Sequence, residues 1–484
     1  MTSSGKLGIR TPDENRLRIF VDGEFRAAHG DEAIPVMEAA SGALLAKVPD
    51  ADIEDVDAAV DSAARALSQW AATPPAERAA HLDRLQEAIK DRAEEFAQTI
   101  SREVGTPIRQ SRAVQVGNPI TITGHIAESL RSYQFEEQVG NCLVVKEPVG
   151  VVAAITPWNY PLQQVVAKVA AALGAGSTVV LKASEVAPLT ALMLAELTVD
   201  TGLPPGVFNV LTGRGVTAGE ALVRHSRVDK VSFTGSTRAG RRISELAAAS
   251  VKPVTMELGG KSASLVLEDA DAATAAKFAV YNAFLNSGQT CTALTRLLVP
   301  ARLAAQAVEA AVATASKLTL GDPLDEATRL GPLASQTQQE RVRGYIHQGL
   351  SEGARLVVGG ADQPDGLERG YYVKATIFDH VTPNMTIAQE EIFGPVLSII
   401  AYDSEDEAVE IANGTAYGLA AAVWSADRER ALVFARRLRA GTVEVNGGAF
   451  STSAPFGGVK QSGHGREFGR YGIEEFLVPK SLQL

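Results

Sequence analysis

Residues 150–182 read GVVAAITPWNYPLQQVVAKVAAALGAGSTVVLK, in which two short apolar runs flank a longer apolar segment. VVAAIT and STVVLK have the length of buried strands, whereas residues 162–173 are long enough for a helix. A strand, a helix and a second strand in this order predict a right-handed crossover between parallel strands. This stretch therefore predicts an α/β fold with a parallel sheet and helices on both faces.

The same alternation extends along most of the chain. Further strands are predicted at residues 208–213, 230–235, 296–300, 354–360, 394–402, 420–425 and 441–446, with helices at residues 189–197, 304–318 and 406–413. The segments after Cys291 predict a second α/β domain. In such sheets ligands bind beyond the carboxyl ends of the strands, so the polar residues that follow each strand are the candidates for chemistry.

The two ends of the chain have different patterns. Residues 18–25 predict a hairpin around Asp22-Gly23, and a helical pattern runs from residue 55 to about residue 100. Within it, one apolar face is formed by Leu82, Leu85, Ile89, Phe96 and Ile100. Residues 474–484, EEFLVPKSLQL, predict a terminal strand that pairs with another sheet edge, in this subunit or in a second one.

Composition limits the class of protein. A chain of 484 residues predicts two or three domains, and its formal net charge of −11 argues against a broad nucleic-acid surface. An arginine-rich stretch at residues 428–439 is interpreted as a solvated helix face. Two cysteines do not form a disulfide framework, residues 1–20 lack the apolar core of a signal peptide, and no membrane span is visible. These features predict a cytoplasmic protein with no membrane partner.

Two glycine-containing turns follow predicted strands. They are GRGVTAG (residues 213–219) and GSTRAG (residues 235–240), and neither matches the G-x-G-x-x-G dinucleotide fingerprint. Glycine allows close backbone approach, and a helix N-terminus offers free N–H groups to a phosphate. From the turns alone, phosphate binding and plain strand–helix connection remain equally good interpretations.

Lys182 and Glu185 close the predicted strand STVVLK. A lysine and a glutamate in this position can bind ribose hydroxyls, and the carboxylate would repel a 2′-phosphate, which favours NAD over NADP. The alternative is a surface ion pair.

Cys291 lies in NSGQTCTALTR, residues 286–296, and Glu257 lies 34 residues upstream at the end of an apolar strand. A thiol becomes a nucleophile only when the site removes its proton, and none of the seven histidines has a cysteine-protease context. From the residues alone, inert packing of the cysteine remains the simpler interpretation.

Taken together, an ordered series of motifs closely resembles the aldehyde dehydrogenase superfamily, in the branch that forms free acids. The motifs span nearly the whole chain: FVDGEF, DVDAAV, EPVGVVAAITPWNYP, KASEVAP, GVFNVLTGRG, VSFTGSTRAG, MELGGKS, NSGQTC, EEIFGPV, ANGTAYGLAAAVW and APFGGVKQSGHGRE. The resemblance implies a Rossmann-like NAD-binding domain (residues 1–125 and 149–258), a catalytic domain (259–460) and an oligomerisation element (126–148 and 470–484). It also explains the missing fingerprint, because this family binds NAD without it.

The resemblance assigns four catalytic residues. Cys291 is the nucleophile that forms a thiohemiacetal and then a thioester, and Asn159 with the Cys291 backbone N–H binds the oxyanion. Glu257 is the general base that activates water, and Lys168 resembles a lysine associated with proton relay.

The resemblance also assigns the cofactor site, for NAD with NADP as the alternative, and no metal. Lys182 and Glu185 are placed at the adenosine ribose, Gly215 near the adenine and Ser236 near the pyrophosphate. Glu391 is expected at the nicotinamide ribose and Phe393 beside the nicotinamide. The remaining expected cofactor residues are Thr156, Trp158, Ser184, Gly219, Phe233, Gly235 and Leu258.

An aldehyde tunnel is expected around residues that line it in relatives: Tyr160, Gln163, Gln164, Ala167, Thr290, Thr292, Phe450 and Phe456. Ala167 stands where a bulky aromatic residue is common, which indicates extra room, and the two glutamines add polarity. These residues permit aromatic, terpenoid or medium aliphatic aldehydes. Ala183 in KASE and EAASGA at residues 38–43 depart from the family pattern without an evident catalytic consequence.

Three other functions compete with this one. A CoA-acylating relative would pass the thioester to CoA, although Glu257 argues against that branch. A thiol esterase that needs no nicotinamide would use Cys291, Asn159 and Glu257 but leave the cofactor motifs without a role, and a non-catalytic scaffold would leave all of them without one. The expected assembly is a homodimer or a homotetramer.

Overall fold

The computed structural model describes residues 18–484, so the expectation about a signal peptide falls largely on residues outside this range. Within it the strands, in chain order, are β1 (Ile19–Val21), β2 (Glu24–Arg26), β3 (Ala33–Met37), β4 (Leu44–Pro49), β5 (Glu136–Val139), β6 (Cys142–Pro148), β7 (Val151–Ile155), β8 (Thr178–Lys182), β9 (Phe208–Leu211), β10 (Lys230–Thr234), β11 (Val254–Glu257), β12 (Ala263–Val266), β13 (Arg296–Pro300), β14 (Arg355–Val358), β15 (Thr376–Asp379), β16 (Val396–Tyr402), β17 (Ala420–Trp424), β18 (Thr442–Val445), β19 (Gly463–His464) and β20 (Leu477–Gln483).

The helices of the same range are α1 (Ile53–Ala72), α2 (Pro75–Asp91), α3 (Ala93–Val104), α4 (Ile108–Gln110), α5 (Gly117–Ser132), α6 (Pro161–Ala175), α7 (Leu189–Asp200), α8 (Glu220–Arg224), α9 (Thr237–Ala248), α10 (Ala272–Ala283), α11 (Ala304–Ala315), α12 (Gln336–Ser351), α13 (Thr386–Gln389), α14 (Glu405–Asn413), α15 (Arg428–Arg437) and α16 (Gly469–Glu474). Two π-helical turns, Ser111–Val116 and Gly215–Gly219, precede α5 and α8.

The first large sheet has eight strands in the order β19-β11-β10-β7-β8-β9-β1-β2. The five strands from β11 to β9 are parallel, as their sequences predict, and antiparallel strands close both edges. Because parallel strands end at one edge of a sheet, the residues that follow β7, β8, β9, β10 and β11 lie along one line. This edge carries most of the expected cofactor residues.

Helix α6 connects β7 to β8 as the opening stretch predicts. Pro161 occupies its first turn, where the missing N–H costs nothing, and Gly176 ends it with φ of 99°. All of its residues are buried, since α6 packs against α2, α5, α7 and α16 as well as the sheet. A helix buried on every side presents fixed side chains to the site.

The second large sheet has seven strands in the order β14-β15-β16-β13-β12-β17-β18, with only the β14 edge antiparallel. It contains the strands predicted between residues 296 and 446, whereas the predicted terminal strand lies in another sheet. The chain passes from the first large sheet to the second between β11 and β12, where Gly259 and Gly260 lie.

The helical pattern of residues 55–100 is three helices, not one. Pro74-Pro75 separates α1 from α2, because proline cannot continue a helix, and α3 follows Arg92 after a second break. The predicted apolar face is confirmed, since Leu82, Leu85, Ile89, Phe96 and Ile100 are all buried.

The C-terminal strand pairs within its own chain. β20 runs antiparallel to β6, from Leu477 opposite Pro148 to Gln483 opposite Cys142, and β5 pairs with the other edge of β6. The expected oligomerisation element is therefore centred on one three-stranded sheet, although its boundary at residue 126 divides α5.

The arginine-rich stretch forms α15, and Arg430 pairs with Asp269 and Glu405 while Arg437 pairs with Asp406. These ion pairs agree with a solvated helix face. Across residues 18–484, no helix combines the length and the apolar character needed to span a membrane.

Candidate active site

Cys291 follows a strained turn. Asn286 and Ser287 adopt φ of 52° and 56°, the left-handed region that residues with a Cβ rarely occupy. Two buried hydrogen bonds hold the turn, from Asn286 Nδ2 to the Asn159 carbonyl (2.9 Å) and from Ser287 Oγ to the Gly331 carbonyl (2.8 Å). Left-handed residues of this kind cost about 1–3 kcal/mol each and persist where the surroundings fix them. The turn therefore presents Cys291 in one conformation.

Asn159 is anchored to the same turn. Its Nδ2 donates to the Gln289 carbonyl at 3.0 Å, and its own carbonyl accepts from Gln115 Nε2 at 2.8 Å. A side-chain amide carries two N–H hydrogens, and only one is used here. Asn159 can therefore offer the second hydrogen to an oxygen that develops negative charge. The supporting Gln115 and Asn286 were not identified from sequence, because nothing local to them indicates these contacts.

The surroundings of the Cys291 thiol favour its protonated form at neutral pH. Burial, together with the negative charges of Glu391 and Glu257, raises the pKa of the thiol to about 12. Since the thiolate is the reactive form, the site requires a proton acceptor or a positive charge beside Cys291 before it can attack a carbonyl.

Glu257 is the buried carboxylate at the end of β11. Neither carboxylate oxygen has a hydrogen-bond partner among residues 18–484. Burial and the charge of Glu467 raise its pKa well above the usual value, and Lys168 and Arg466 oppose that shift. A carboxylate with a raised pKa is a suitable base near neutral pH. Gly457 makes room for it, because a Cβ there would lie 2.5 Å from Oε1.

Lys168 forms a buried ion pair with Glu467, with 2.5 Å between Nζ and Oε1. Lys168 comes from α6, whereas Glu467 lies opposite Phe456 in a short antiparallel bridge. Glu467 was missed as a site residue, although it is the last residue of the quoted motif APFGGVKQSGHGRE. The structure therefore gives Lys168 an acidic partner close to Glu257.

Lys182 and Glu185 pair with each other, with 2.9 Å between Nζ and Oε2. Lys182 is buried at the end of β8, and the Glu185 side chain is 43% exposed. Although burial opposes the shift, Lys182 holds the pKa of Glu185 below its usual value. The ion pair exists, and its position at the carboxyl end of the sheet leaves the carboxylate available to ribose hydroxyls.

The neighbouring turns leave space for a ligand. A Cβ on Gly215 or Gly219 would meet no atom within 4 Å, whereas one on Gly235 would lie 2.5 Å from the Phe233 ring. Ser236 caps α9 by accepting from the Ala239 N–H at 3.3 Å. Thr156, Ser184 and Leu258 follow β7, β8 and β11 at the same edge.

Glu391 and Phe393 approach this edge from the second sheet. Glu391 Oε1 accepts from the Gly260 N–H at 3.0 Å, and a Cβ on Gly259 would lie 2.2 Å from Oε2. Burial raises the pKa of Glu391 to about 7. The Phe393 and Trp158 rings meet edge to face, 5.4 Å between centroids. Two carboxylates, open glycine turns and this aromatic pair fit a nicotinamide dinucleotide.

The expected tunnel residues divide into a polar set and an aromatic set. Tyr160 and Thr290 share a 2.8 Å hydrogen bond between hydroxyls, and Gln163 Oε1 accepts from Asn118 at 3.0 Å. Gln164 and Ala167 are buried on α6, and Thr292 is half-buried next to Cys291.

The aromatic set contains a residue that the sequence did not indicate. Phe450, which is 46% exposed, contacts Phe456 and Phe468, each with ring centroids 5.9 Å away. Phe456 and Phe468 are buried and lie 5.3 Å apart. Phe468, next to Glu467, thus completes a cluster that runs from the surface into the protein.

Comparison with known proteins agrees with this site. The model of the aldehyde dehydrogenase family matches residues 25–482. The 3-succinoylsemialdehyde-pyridine dehydrogenase of Pseudomonas sp. is 46% identical over 466 residues, which are 96% of this chain and 97% of that protein.

Solved structures give the same result. Aldehyde dehydrogenase C of Pseudomonas syringae, a cysteine-to-alanine mutant complexed with NAD+ and octanal, is 45% identical with a TM-score of 0.97 and covers 98% of both chains. A Mycobacterium tuberculosis aldehyde dehydrogenase complexed with NAD+ is 41% identical with a TM-score of 0.94, over 97% of this chain and 98% of that one. The chain therefore belongs to the aldehyde dehydrogenase family, and it is an NAD(P)-dependent enzyme that oxidises an aldehyde to the carboxylic acid.

Proposed function

We propose that Cys291 is the nucleophile of this oxidation. The observation that carries the proposal is the setting of its thiol, which lies on a fixed turn next to Gln289, whose carbonyl accepts a hydrogen bond from the Asn159 amide. Once the ionised Glu257 carboxylate or water accepts the thiol proton, sulfur attacks the aldehyde carbonyl carbon and the carbonyl π electrons move to oxygen.

The developing oxyanion requires donors that are already in place. The free N–H of the Asn159 amide and the backbone N–H of Cys291 supply them, and fixed donors of this kind contribute roughly 10²–10³-fold to a rate. Asn159 is buried and held at its side chain and at its carbonyl, so little reorganisation accompanies the attack.

Collapse of the thiohemiacetal releases hydride and leaves a thioester on Cys291. When bound, NAD would supply the hydride acceptor, its nicotinamide ring. In this proposal Glu391, Phe393 and Trp158 would hold the nicotinamide end, and Lys182 with Glu185 would hold the adenosine ribose; their mutual contacts support this. Thr156, Ser184, Gly215, Gly219, Phe233, Gly235, Ser236 and Leu258 would line the remainder. The Glu185 carboxylate favours NAD over NADP, because a 2′-phosphate beside it would be repelled.

Glu257 completes the reaction by accepting a proton from water, whose oxygen attacks the thioester carbon. The acid leaves, sulfur recovers its electron pair, and aldehyde, NAD+ and water give acid, NADH and a proton. A base here favours hydrolysis over transfer to CoA. Lys168 and Glu467, next to Glu257, would then pass the proton on.

The proposed substrate is an apolar or aromatic aldehyde of medium length. An apolar entrance to the tunnel is formed by Phe450, Phe456 and Phe468. Deeper in the tunnel, the small side chain of Ala167 leaves room beside α6, and the buried amides of Gln163 and Gln164 make the wall more polar. The octanal bound to the Pseudomonas syringae relative agrees with such a tunnel.

The roles of the three regions are also proposals. The first sheet would bind NAD, the second would carry the thiol, and β5, β6 and β20 would join subunits into a dimer or tetramer, in the cytoplasm. Size-exclusion chromatography with light scattering distinguishes these assemblies from a monomer.

A screen of aliphatic, aromatic and terpenoid aldehydes with NAD or NADP tests the proposed function, followed by NADH absorbance and by mass spectrometry of the acid. Acid formation with NAD and without CoA is the expected result. Ester cleavage without any NADH would instead identify a thiol esterase.

A further inference from the structure

Glu475 joins three segments of the chain behind the catalytic base. Its Oε1 accepts from the Arg466 backbone N–H, and its Oε2 accepts from Thr255 Oγ1, both at 2.9 Å. Lys230 Nζ lies 3.4 Å from Oε2, and the Lys230 side chain is buried. One carboxylate therefore contacts β10, β11 and the segment that follows β19.

Two of these partners lie next to residues of the site. Thr255 precedes Glu257 by two positions on β11, and residues two apart leave a strand on the same face. Arg466 immediately precedes Glu467, the partner of Lys168. β11 and β19 pair directly, with Glu257 opposite Gly463. The Glu475 carboxylate thus fixes β11, which carries Glu257, relative to residues 463–467, which carry Glu467.

The backbone around Glu475 is shaped to receive its carboxylate. Gly465 has φ of 89°, and a Cβ there would lie 2.5 Å from Thr255 Cγ2 and 3.1 Å from Glu475 Oε2. Glu475 itself caps the C-terminus of α16, and the next residue, Phe476, is buried with Lys230 Nζ 5.6 Å from its ring centroid. The Lys230 end of the contact is therefore buried, and the Glu475 side chain is 25% exposed.

We propose that Glu475 is a positioning residue that aligns Glu257 with the Lys168–Glu467 pair for thioester hydrolysis. It touches no reacting atom and acts through β11 and the segment of residues 463–467. This inference rests on the proposed role of Glu257 as general base. Misplacement of a catalytic group by about 1 Å can cost up to 10²-fold in rate, so loss of the alignment has a measurable effect.

The adjacent Glu474 provides a matched control. It is exposed, and its Oε1 accepts only a long 3.4 Å hydrogen bond from Tyr133. We expect Glu475→Ala to lower the steady-state kcat for acid formation about tenfold or more, with the first-turnover NADH burst and the KM for NAD preserved. Glu475→Gln, which keeps one acceptor oxygen, should lower this kcat less. The controls Glu474→Ala and Glu474→Gln should behave as the wild type.

A pH profile of kcat separates alignment from a general packing defect. The charges that act on Glu257 come from Glu467, Lys168, Arg466 and Glu475. Because Glu475 is one of the negative charges that raise the pKa of Glu257, its removal should move the acid limb to lower pH. A defect in packing alone would lower kcat without moving the limb.

The outcomes are distinct. The inference is overturned if Glu475→Ala has the same kcat, the same NADH burst and the same acid limb of the kcat profile as Glu474→Ala. It is also overturned if Glu475→Ala lowers the NADH burst rate and the steady-state rate of acid formation equally. If the wild-type full chain forms neither NADH nor acid with any aldehyde, the proposed function itself fails, whatever Glu475 does.

Discussion

The Lys168 ammonium and the Glu467 carboxylate form an ion pair from which solvent is excluded, with side chains 0% and 6% exposed. The pair lies close enough to Glu257 for its two charges to act in opposite directions on that carboxylate, Glu467 raising its pKa and Lys168 lowering it. The pKa of Glu257 is therefore set by the neighbouring ion pair as well as by the burial of Glu257 itself.

Changes in this pair should move the pH dependence in opposite directions. In the proposed mechanism ionised Glu257 activates water, so we expect kcat to rise with pH through the pKa of Glu257. We expect Lys168→Met to shift the acid limb of kcat to higher pH and Glu467→Gln to shift it to lower pH. Lys168→Met should also reduce the free energy of unfolding by about 3–5 kcal/mol, since it leaves a buried charge unpaired.

The double variant Lys168→Met/Glu467→Gln is the control for this pair. With both charges removed, its acid limb should lie between those of the single variants. Identical profiles for all three variants would show that the pair does not tune Glu257.

Asn159→Ala should lower kcat/KM about 10²–10³-fold with little effect on the affinity for NAD, because it removes a donor that acts on the developing oxyanion. Single-turnover NADH formation measures the step directly. Asn118→Ala is a control, since Asn118 bonds to Gln163 in the tunnel and not to the turn of Cys291. A burst rate for Asn159→Ala within twofold of the control would remove Asn159 from the oxyanion site.

Glu185→Ser should raise kcat/KM for NADP relative to NAD by about tenfold, because the repelling carboxylate is lost while a hydroxyl remains. The ratio of kcat/KM values with the two cofactors is the measurement. Exposed Glu94, which pairs with Arg112, provides the control Glu94→Ser. A wild-type enzyme that already uses NADP as well as NAD would show that the ribose site is interpreted wrongly.

The raised pKa of Glu257 predicts a pH-dependent cost to stability. As pH rises from the ordinary 4.5 of a glutamate towards the raised pKa of the folded state, the unfolded chain releases its proton while the folded chain keeps it. The free energy of unfolding therefore falls through this window and stays lower above it. Glu257→Gln does not titrate, so its Tm minus the wild-type Tm should increase from pH 5 to pH 8. A constant difference would contradict the raised pKa.

Much of the fold is visible in the sequence because its strands and central helix are continuous apolar runs. β7, α6 and β8 lie where residues 150–182 predict them, and Glu257 ends a strand as expected. The break at Arg92 divides a segment whose apolar periodicity continues across it, from Leu82 to Ile100, so periodicity alone predicted one helix.

The site was less predictable wherever it depends on distant contacts. Lys168 and Glu467 are 299 positions apart, and no spacing rule joins them. The left-handed turn at Asn286 and Ser287 has no local signature other than Gly288, because bonds to Asn159 and Gly331 stabilise it. Family motifs located Cys291, Glu257 and Asn159, whereas Glu475 was found only through the atoms that surround it.

Intact-protein mass spectrometry of Glu257→Gln mixed with octanal and NAD shows whether a thioester forms on Cys291 before Glu257 is needed. We expect an octanoyl adduct that accumulates on Cys291 together with one equivalent of NADH, because hydride release precedes the hydrolysis that Glu257 is proposed to assist. Cys291→Ala should give neither adduct nor NADH while still binding NAD. No adduct in Glu257→Gln with unchanged steady-state turnover, or an adduct that persists in Cys291→Ala, would contradict the account.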